Sequence, residues 1–297
     1  MSAFEEDMKP YGEDYQCSDN LILGAVGGDI LGSPYEWHRI TTRHFDLLNQ
    51  RCKFTDDTVM TVATMKSLIL SHKYGKELTE DLIRDTYREL GRKYYYAGYG
   101  PMFKKWLFQT DDNPINSYGN GSGMRISPVG WWAKTEKETI DLATRFSKVS
   151  HNHPEGIKGG VAIALAVFYA RNGLHKRDIA EKIQKVTGYD LQREVSEIRK
   201  NYRFNATCQK SVPESIIAFL ESQSYEDAVI NAIWMGGDAD TMACMAGGIA
   251  EARYGTSKTS AQVREFVWNK LSKDFKHIIT EFSEIVNPLH KLKISYE

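Results

Sequence analysis

Apolar positions recur along this chain at steps of three and four. Leu82, Ile83, Tyr87 and Leu90 follow Thr79 in that way, and Leu142, Ala143, Phe146 and Val149 repeat it in the next third. Such spacing places apolar side chains on one face of an α-helix. Ser224 followed by Asp227 has the form of a capping box before Ala228, Val229, Ala232 and Ile233. Val263, Phe266, Val267, Leu271, Phe275, Ile278, Ile279 and Phe282 carry the period onward and predict one long amphipathic helix over about 260–287. The stretch "MACMAGGIAEA" is apolar on nearly every side and reads as a buried helix, and "GGVAIALAVF" reads as another helix. Alternation of the strand type is almost absent, so the expected class is all-α. Asn113 to Gly123, "NPINSYGNGSG", is the main exception, a polar turn-forming loop of the composition that carries function more often than architecture. No linker, low-complexity tract or fixed-period repeat divides the chain, which predicts a single domain over 1–297.

Composition narrows the partners. At 297 residues and 41% apolar the chain can bury a large core and fold alone, and a monomer is expected. A net charge of −1 gives no support to a nucleic-acid or membrane-surface partner. The longest apolar stretch, Val161 to Ala170, is far short of the ~20 residues that span a bilayer. The acidic start "MSAFEEDMKPYGEDYQ" has none of the features of a signal or transit peptide. Cys17, Cys52, Cys208 and Cys244 lack C-x-x-C spacing, so they read as reduced thiols in a cytoplasmic protein, without a zinc site or disulfides.

Two short polar clusters stand at the mouths of apolar helices. "FTDDT" puts Thr55, Asp56 and Asp57 ahead of Val59, Val62, Ala63, Met65 and Leu68, and "GGDADT" puts Asp238, Asp240 and Thr241 ahead of the Met242 helix. Capping explains either cluster alone, since Asp and Thr accept hydrogen bonds from free first-turn N–H groups. One acid suffices for a cap, and two such clusters together point to a shared cation site. All the candidate donors are oxygens, which select Mg²⁺ or Mn²⁺ over zinc. Four carboxylates balance two divalent ions. A fifth acid, Glu36, follows the glycine-rich "GAVGGDILGSPY".

"GAVGGDILGSPYE", "FTDDT", "SYGNGSGMR", "SHNHPEG" and "GGDADT", in this order over about 21–255, resemble the ADP-ribosylglycohydrolase family, which includes the dinitrogenase reductase-activating glycohydrolases and the ADP-ribosyl-acceptor hydrolases. The resemblance implies a compact orthogonal assembly of helices with two Mg²⁺ or Mn²⁺ ions. It also implies hydrolysis of the C1″ glycosidic bond of ADP-ribose on a protein side chain, reversing mono-ADP-ribosylation. Thr55, Asp56, Asp57, Asp238, Asp240 and Thr241 match the family's metal positions, and Glu36 matches its glutamate. Glu36, Asp56 and Asp57 are the expected catalytic acids, with Glu36 positioning or activating water.

Ser117, Tyr118, Gly119, Asn120, Gly121 and Ser122 are the expected substrate-binding residues of the loop. Its glycine N–H groups, including that of Gly123, and its serine hydroxyls would face a pyrophosphate while Tyr118 stacks on adenine. Taken alone, the same loop reads as a tight surface turn. Arg125 would contact a phosphate or a core carboxylate, His151 would line the distal ribose or serve packing, and His153 with Pro154 would shape a turn. Ala239 stands where relatives read G-G-D-T-D-T, keeping the aspartate spacing and losing one hydroxyl. Arginine is the favoured acceptor, with serine or O-acetyl-ADP-ribose as alternatives. A non-catalytic ADP-ribose-binding protein on the same scaffold and a metal-dependent nucleotide phosphohydrolase are the readings from other classes. The first would be marked by lost metal ligands, and none is lost; the His-Asp type of the second needs a His-Asp dipeptide, which is absent.

Overall fold

The computed structural model describes residues 16–294. Its first half runs through α1 (Gly24–Gly32), α2 (Asp56–Lys73), α3 (Glu80–Lys93), α4 (Pro101–Leu107), the short α5 (Gly121–Met124) and α6 (Ser127–Trp132), α7 (Glu136–Lys148) and α8 (Pro154–Arg171). The second half adds α9 (Lys176–Thr187), α10 (Val195–Asn201), α11 (Cys208–Leu220), α12 (Tyr225–Met235), α13 (Ala239–Tyr254), α14 (Ala261–Lys270) and α15 (Lys273–Ile294). The described residues form no strand, and one isolated antiparallel bridge joins Gly119 to Thr207. The all-α expectation holds. No helix is long and apolar enough to cross a membrane among the described residues, and all four cysteines are free.

The stretch that reads as apolar all round lies at the centre, together with the "GGVAIALAVF" helix. Ala239 to Ala252 of α13 are buried without interruption, as are Gly159 to Ala170 of α8. Against α13 lies α1, and glycine makes the contact possible. Gly24, Gly28 and Gly32 fall one turn apart on one face of α1; a Cβ on Gly28 would stand 2.0 Å from the Ala243 carbonyl oxygen, and one on Gly32 would stand 2.6 Å from the Asp240 Cα. The two backbones therefore touch. This approach carries Asp29, and Glu36 beyond the 3₁₀ turn Ser33–Tyr35, to the mouth of α13.

Surface helices follow their caps and stripes. The Thr79 hydroxyl accepts from Leu82 N, and α3 buries Ile83, Tyr87 and Leu90. Ser224 accepts from Asp227 N at 3.1 Å, while the Asp227 carboxylate takes the N–H of Gln223 at 2.9 Å, one residue before the cap. The single C-terminal helix expected over about 260–287 is two helices instead. Leu271 is extended (ψ 147°), and the chain restarts at Ser272, whose hydroxyl accepts from Phe275 N at 3.4 Å. The apolar period crosses this break because Val267, Leu271 and Phe275 stay in step.

Candidate active site

At the start of α2, capping does not consume the helix's own acids. Thr55 makes no side-chain cap. The N–H groups of Thr55 and Thr58 donate instead to Oδ2 of Asp29, at 2.9 and 3.1 Å, and the Thr58 hydroxyl donates to the same oxygen. Oδ1 of Asp29 lies 2.6 Å from the Thr55 hydroxyl, which is also 3.0 Å from Oδ2 of Asp57. Asp57 Oδ1 is buried and has no hydrogen-bond partner among the described residues. At the mouth of α13, Asp238 makes no cap bond either. Its Oδ2 accepts from the Asn120 amide at 2.7 Å, Asp240 Oδ1 accepts from Thr241 N at 2.9 Å, and the Thr241 hydroxyl reaches Asp57 at 3.4 Å.

The carboxylates converge. One oxygen each of Asp29, Asp57 and Asp240 lie within 4.8 Å of one another, as do oxygens of Glu36, Asp238 and Asp240. Asp240 belongs to both groups. Asp29 is the poorest ligand of the five, because both its oxygens already accept from Thr55 and Thr58. Asp56 lies outside both trios and faces Gly98, whose φ of +119° and absent Cβ, 3.2 Å from Asp56 Oδ1, let the 94–100 loop close on it.

Burial and then mutual repulsion push Asp56, Asp57 and Asp240 well above the usual carboxylate range. Glu36 is pushed up to about 7, by burial first and Asp238 second, with a hydrogen bond from Trp37 and then Lys53 pulling the other way. Packed acids of this kind, one with an orphan oxygen, fit a bound divalent cation, whose charge would remove the repulsion. An all-oxygen donor set suits Mg²⁺ or Mn²⁺. A separate cavity of about 370 Å³, lined by Cys17, Asp19, Arg264, Trp268 and Lys276 among others, contains no such cluster.

The glycine loop is strapped over the acids. Asn120 N donates to the Ala206 carbonyl and Cys208 N to the Tyr118 carbonyl, both at 2.9 Å, while Ile115 N donates to Ser150 O at 3.1 Å. Tyr118 remains exposed, its ring 5.2 Å from that of His153. The last residues of the expected loop form α5, and this changes what they offer. The Ser122 hydroxyl donates to Gly156 O at 2.6 Å, the Gly123 N–H donates to Asn120 O at 2.8 Å, and the Gly119 N–H donates to the Ser117 hydroxyl at 3.1 Å. A Cβ on Gly123 would meet Met245 Sδ at 2.9 Å, so this glycine serves helix packing.

Arg125 is fully buried and meets no carboxylate among the described residues. Its guanidinium lies 4.4 Å from the Tyr87 ring and donates to Ser150 Oγ at 2.7 Å. His151 is buried beneath Gly121, and His153 accepts from Glu155 N to start α8. Ala239 is fully buried at the head of α13 against Gly32.

Three features of the site escaped sequence reading. Asp29, inside "GGDILG", is the cap of a helix that starts 27 residues later. Tyr99, beside Gly98, has a buried hydroxyl with no partner among the described residues, and burial and then Asp56 hold it protonated. Trp37, next to Glu36, stacks on Phe204 at 4.6 Å and forms an exposed aromatic rim. An acid inside a glycine-rich helix and an aromatic residue beside a candidate catalytic glutamate were the available signals.

Comparison with known proteins places the sequence and the fold among related ones. A family model described as ADP-ribosylglycohydrolase matches residues 20–290. ADP-ribosylhydrolase ARH3 of Mus musculus is 24% identical, over 79% of this chain and 82% of that protein. ADP-ribosylarginine hydrolase Tri1 of Pseudomonas putida (strain GB-1) is 22% identical, over 84% and 74%. A solved structure described as an ADP-ribosylglycohydrolase-related protein complex superimposes with a TM-score of 0.68 at 19% identity, covering 90% of this chain and 97% of its own.

Proposed function

Because the chain belongs to the ADP-ribosylglycohydrolase family, and so to the enzymes that hydrolyse glycosidic bonds, we propose that it removes ADP-ribose from protein side chains by cation-dependent hydrolysis at C1″ of the distal ribose. The observation that carries this reading is the convergence of Asp57, Asp238 and Asp240 under Glu36, with α2 capped by Asp29 and Asp238 making no cap bond at α13. These acids, with Asp56 and the hydroxyls of Thr55 and Thr241, would hold two Mg²⁺ or Mn²⁺ ions. Bound there, the ions supply positive charge that grips ribose hydroxyls and acidifies water.

Glu36, half-buried at the rim, accepts the proton of the attacking water, and the surrounding carboxylates offset charge at an oxocarbenium-like C1″. Tyr118 stacks on adenine. Ser117 and the loop from Gly119 to Ser122 line the diphosphate, the N–H groups of Gly119 and Asn120 being held within the protein; Asn120 steadies Asp238, and His151 lies behind Gly121. Arginine is the acceptor of this reading, in keeping with the name of the Pseudomonas relative. The protein acts as a monomer in the cytoplasm.

Incubation with proteins ADP-ribosylated at arginine or at serine, in Mg²⁺, followed by detection of free ADP-ribose, tests the reading. Release from the arginine substrate is expected, and Glu36→Gln should still bind ADP-ribose while turnover falls about a hundredfold or more. Release from serine alone would move the acceptor. No release from either would overturn the proposal.

A further inference from the structure

Arg125 is a guanidinium with no solvent exposure and no carboxylate partner among the described residues. Burying such a charge is expensive, and an apolar side chain would fill the same volume at less cost. The faces of Tyr87 at 4.4 Å and Phe103 at 5.5 Å offset part of that cost, and Tyr87 is itself fixed by a 2.8 Å bond to the Thr64 hydroxyl. Nε and Nη1 have no hydrogen-bond partner among the described residues. What the guanidinium does hold is directional: Nη2 donates to Phe146 O at 3.3 Å and to Ser150 Oγ at 2.7 Å.

A guanidinium can only donate, so Ser150 Oγ is the acceptor of that bond and keeps its single proton to offer to its other neighbour. That neighbour is Nδ1 of His151 at 2.8 Å. An imidazole that accepts at Nδ1 carries its proton on Nε2. The Nε2 edge meets the glycine loop, since a Cβ on Gly121 would stand 2.8 Å from it and one on Gly119 would stand 3.7 Å away. Only glycine leaves room there. Nε2 has no protein hydrogen-bond partner among the described residues, although His151 is 4% exposed.

We propose that Arg125 and Ser150 are positioning residues that lock His151 as a neutral imidazole with its proton on Nε2, a hydrogen-bond donor to an oxygen of the bound ADP-ribose. The ligand half of this inference rests on the reading of the site given above. The lock also defines what His151 does not do: with Nδ1 engaged and Nε2 protonated it neither accepts a proton during hydrolysis nor ligates a cation. Burial and the neighbouring guanidinium both disfavour a second proton.

The test uses the full chain labelled with ¹⁵N-histidine. Its two-bond proton–nitrogen spectrum distinguishes the tautomers, and His151→Gln identifies the signals. In the ligand-free protein His151 should show the Nε2–H form unchanged from about pH 5.5 to about 8, across the ordinary histidine range. Ser150→Ala should release the ring to mixed tautomers and weaken ADP-ribose, measured by calorimetry, about three- to tenfold, the worth of one hydrogen bond. Arg125→Met should change the tautomer signal in the same direction. An Nδ1–H form in the unaltered protein, or a Ser150→Ala variant with unchanged tautomer and unchanged affinity, would overturn the proposal. Failure of the unaltered protein to bind ADP-ribose would instead overturn the site reading and the donor role with it, while the spectrum of the free protein judges the lock independently.

Discussion

Glu251 and Asp57 are both carboxylates on helices of the core, each about 1% exposed, yet their oxygens have opposite fates. Glu251 accepts from Leu23 N at 2.9 Å and Gly24 N at 2.7 Å, capping α1 from α13, with Arg264 3.8 Å away. Asp29 in turn caps α2 from α1. Because Asp29 caps α2 from α1, the first-turn acids of α2 are released from capping, while at α13 Asp238 makes no cap bond and Asp240 engages only Oδ1, with Thr241 N. Asp57 leaves one oxygen without a partner among the described residues and faces Asp240 across the two helix mouths. Burial alone therefore does not distinguish an acid that holds the fold from one that serves a ligand. The bonding of its oxygens does.

The largest effect expected from this contrast is on turnover. Asp57→Asn and Asp240→Asn should each lower it on the order of a hundredfold or more, since each removes a cation-holding charge. Chelation with EDTA should abolish activity, with Mg²⁺ or Mn²⁺ restoring it and Zn²⁺ failing to. In metal-stripped protein the same two variants should melt no lower than the unaltered chain, because each relieves repulsion among buried carboxylates. Glu251→Ala should do the reverse and cost about 1–3 kcal/mol of stability by stranding the buried N–H groups of Leu23 and Gly24. Full activity in exhaustively chelated protein, or equal destabilisation by Asp57→Asn and Glu251→Ala, would erase the distinction between the two kinds of acid.

A smaller effect concerns pH. Burial raises the Glu251 carboxyl from its ordinary 4.5 to about 7, against the pull of the two N–H groups and Arg264. The folded state thus binds a proton more tightly than the unfolded chain. The stability contributed by this group is full below the unfolded value and is lost as pH rises through the folded one. Between pH 4.5 and about 7 the loss is at most on the order of 3 kcal/mol. Urea unfolding of the unaltered chain and of Glu251→Gln across this window should show a slope in the first that is reduced in the second. Identical slopes would mean that Glu251 stays ionised beside Arg264.

The two Asp/Thr clusters were legible because each is contiguous, and so was the all-α class, because its apolar period is local. What favours cation binding over capping is not local. Asp29 lies 26 residues before Thr55, and Glu251 lies 227 residues after Gly24, so no window of sequence shows that the caps are already supplied. Gly24, Gly28 and Gly32 were visible as a glycine-rich stretch; that their common face meets the α13 backbone depends on a helix far along the chain. Ser122 and Gly123 read as loop residues because their composition is that of a turn, while their positions in α5 follow from the Asn120 carbonyl gathering the N–H groups of Gly123 and Met124. The break at Leu271 was hidden by the intact apolar period, with Ser272 as its only local sign.

The smallest expected effect sets the acidic half of the site against the glycine loop. If the acids with their cations hold the distal ribose while Tyr118 stacks on adenine, free ADP-ribose engages both halves and AMP only one. At a hundred times its Kd a ligand adds about 2.7 kcal/mol to stability, which for a domain of this length raises the melting temperature by roughly 5 °C. AMP at the same concentration should shift it much less. Chelation should shrink the ADP-ribose shift by removing the grip on the ribose and leave the AMP shift unchanged. Tyr118→Ala should diminish both, and because this side chain is 47% exposed the variant's own melting temperature should stay close to that of the unaltered chain. An AMP shift equal to that of ADP-ribose and indifferent to cations would place all the binding energy in the loop, leaving the converged carboxylates without a part in holding the ligand.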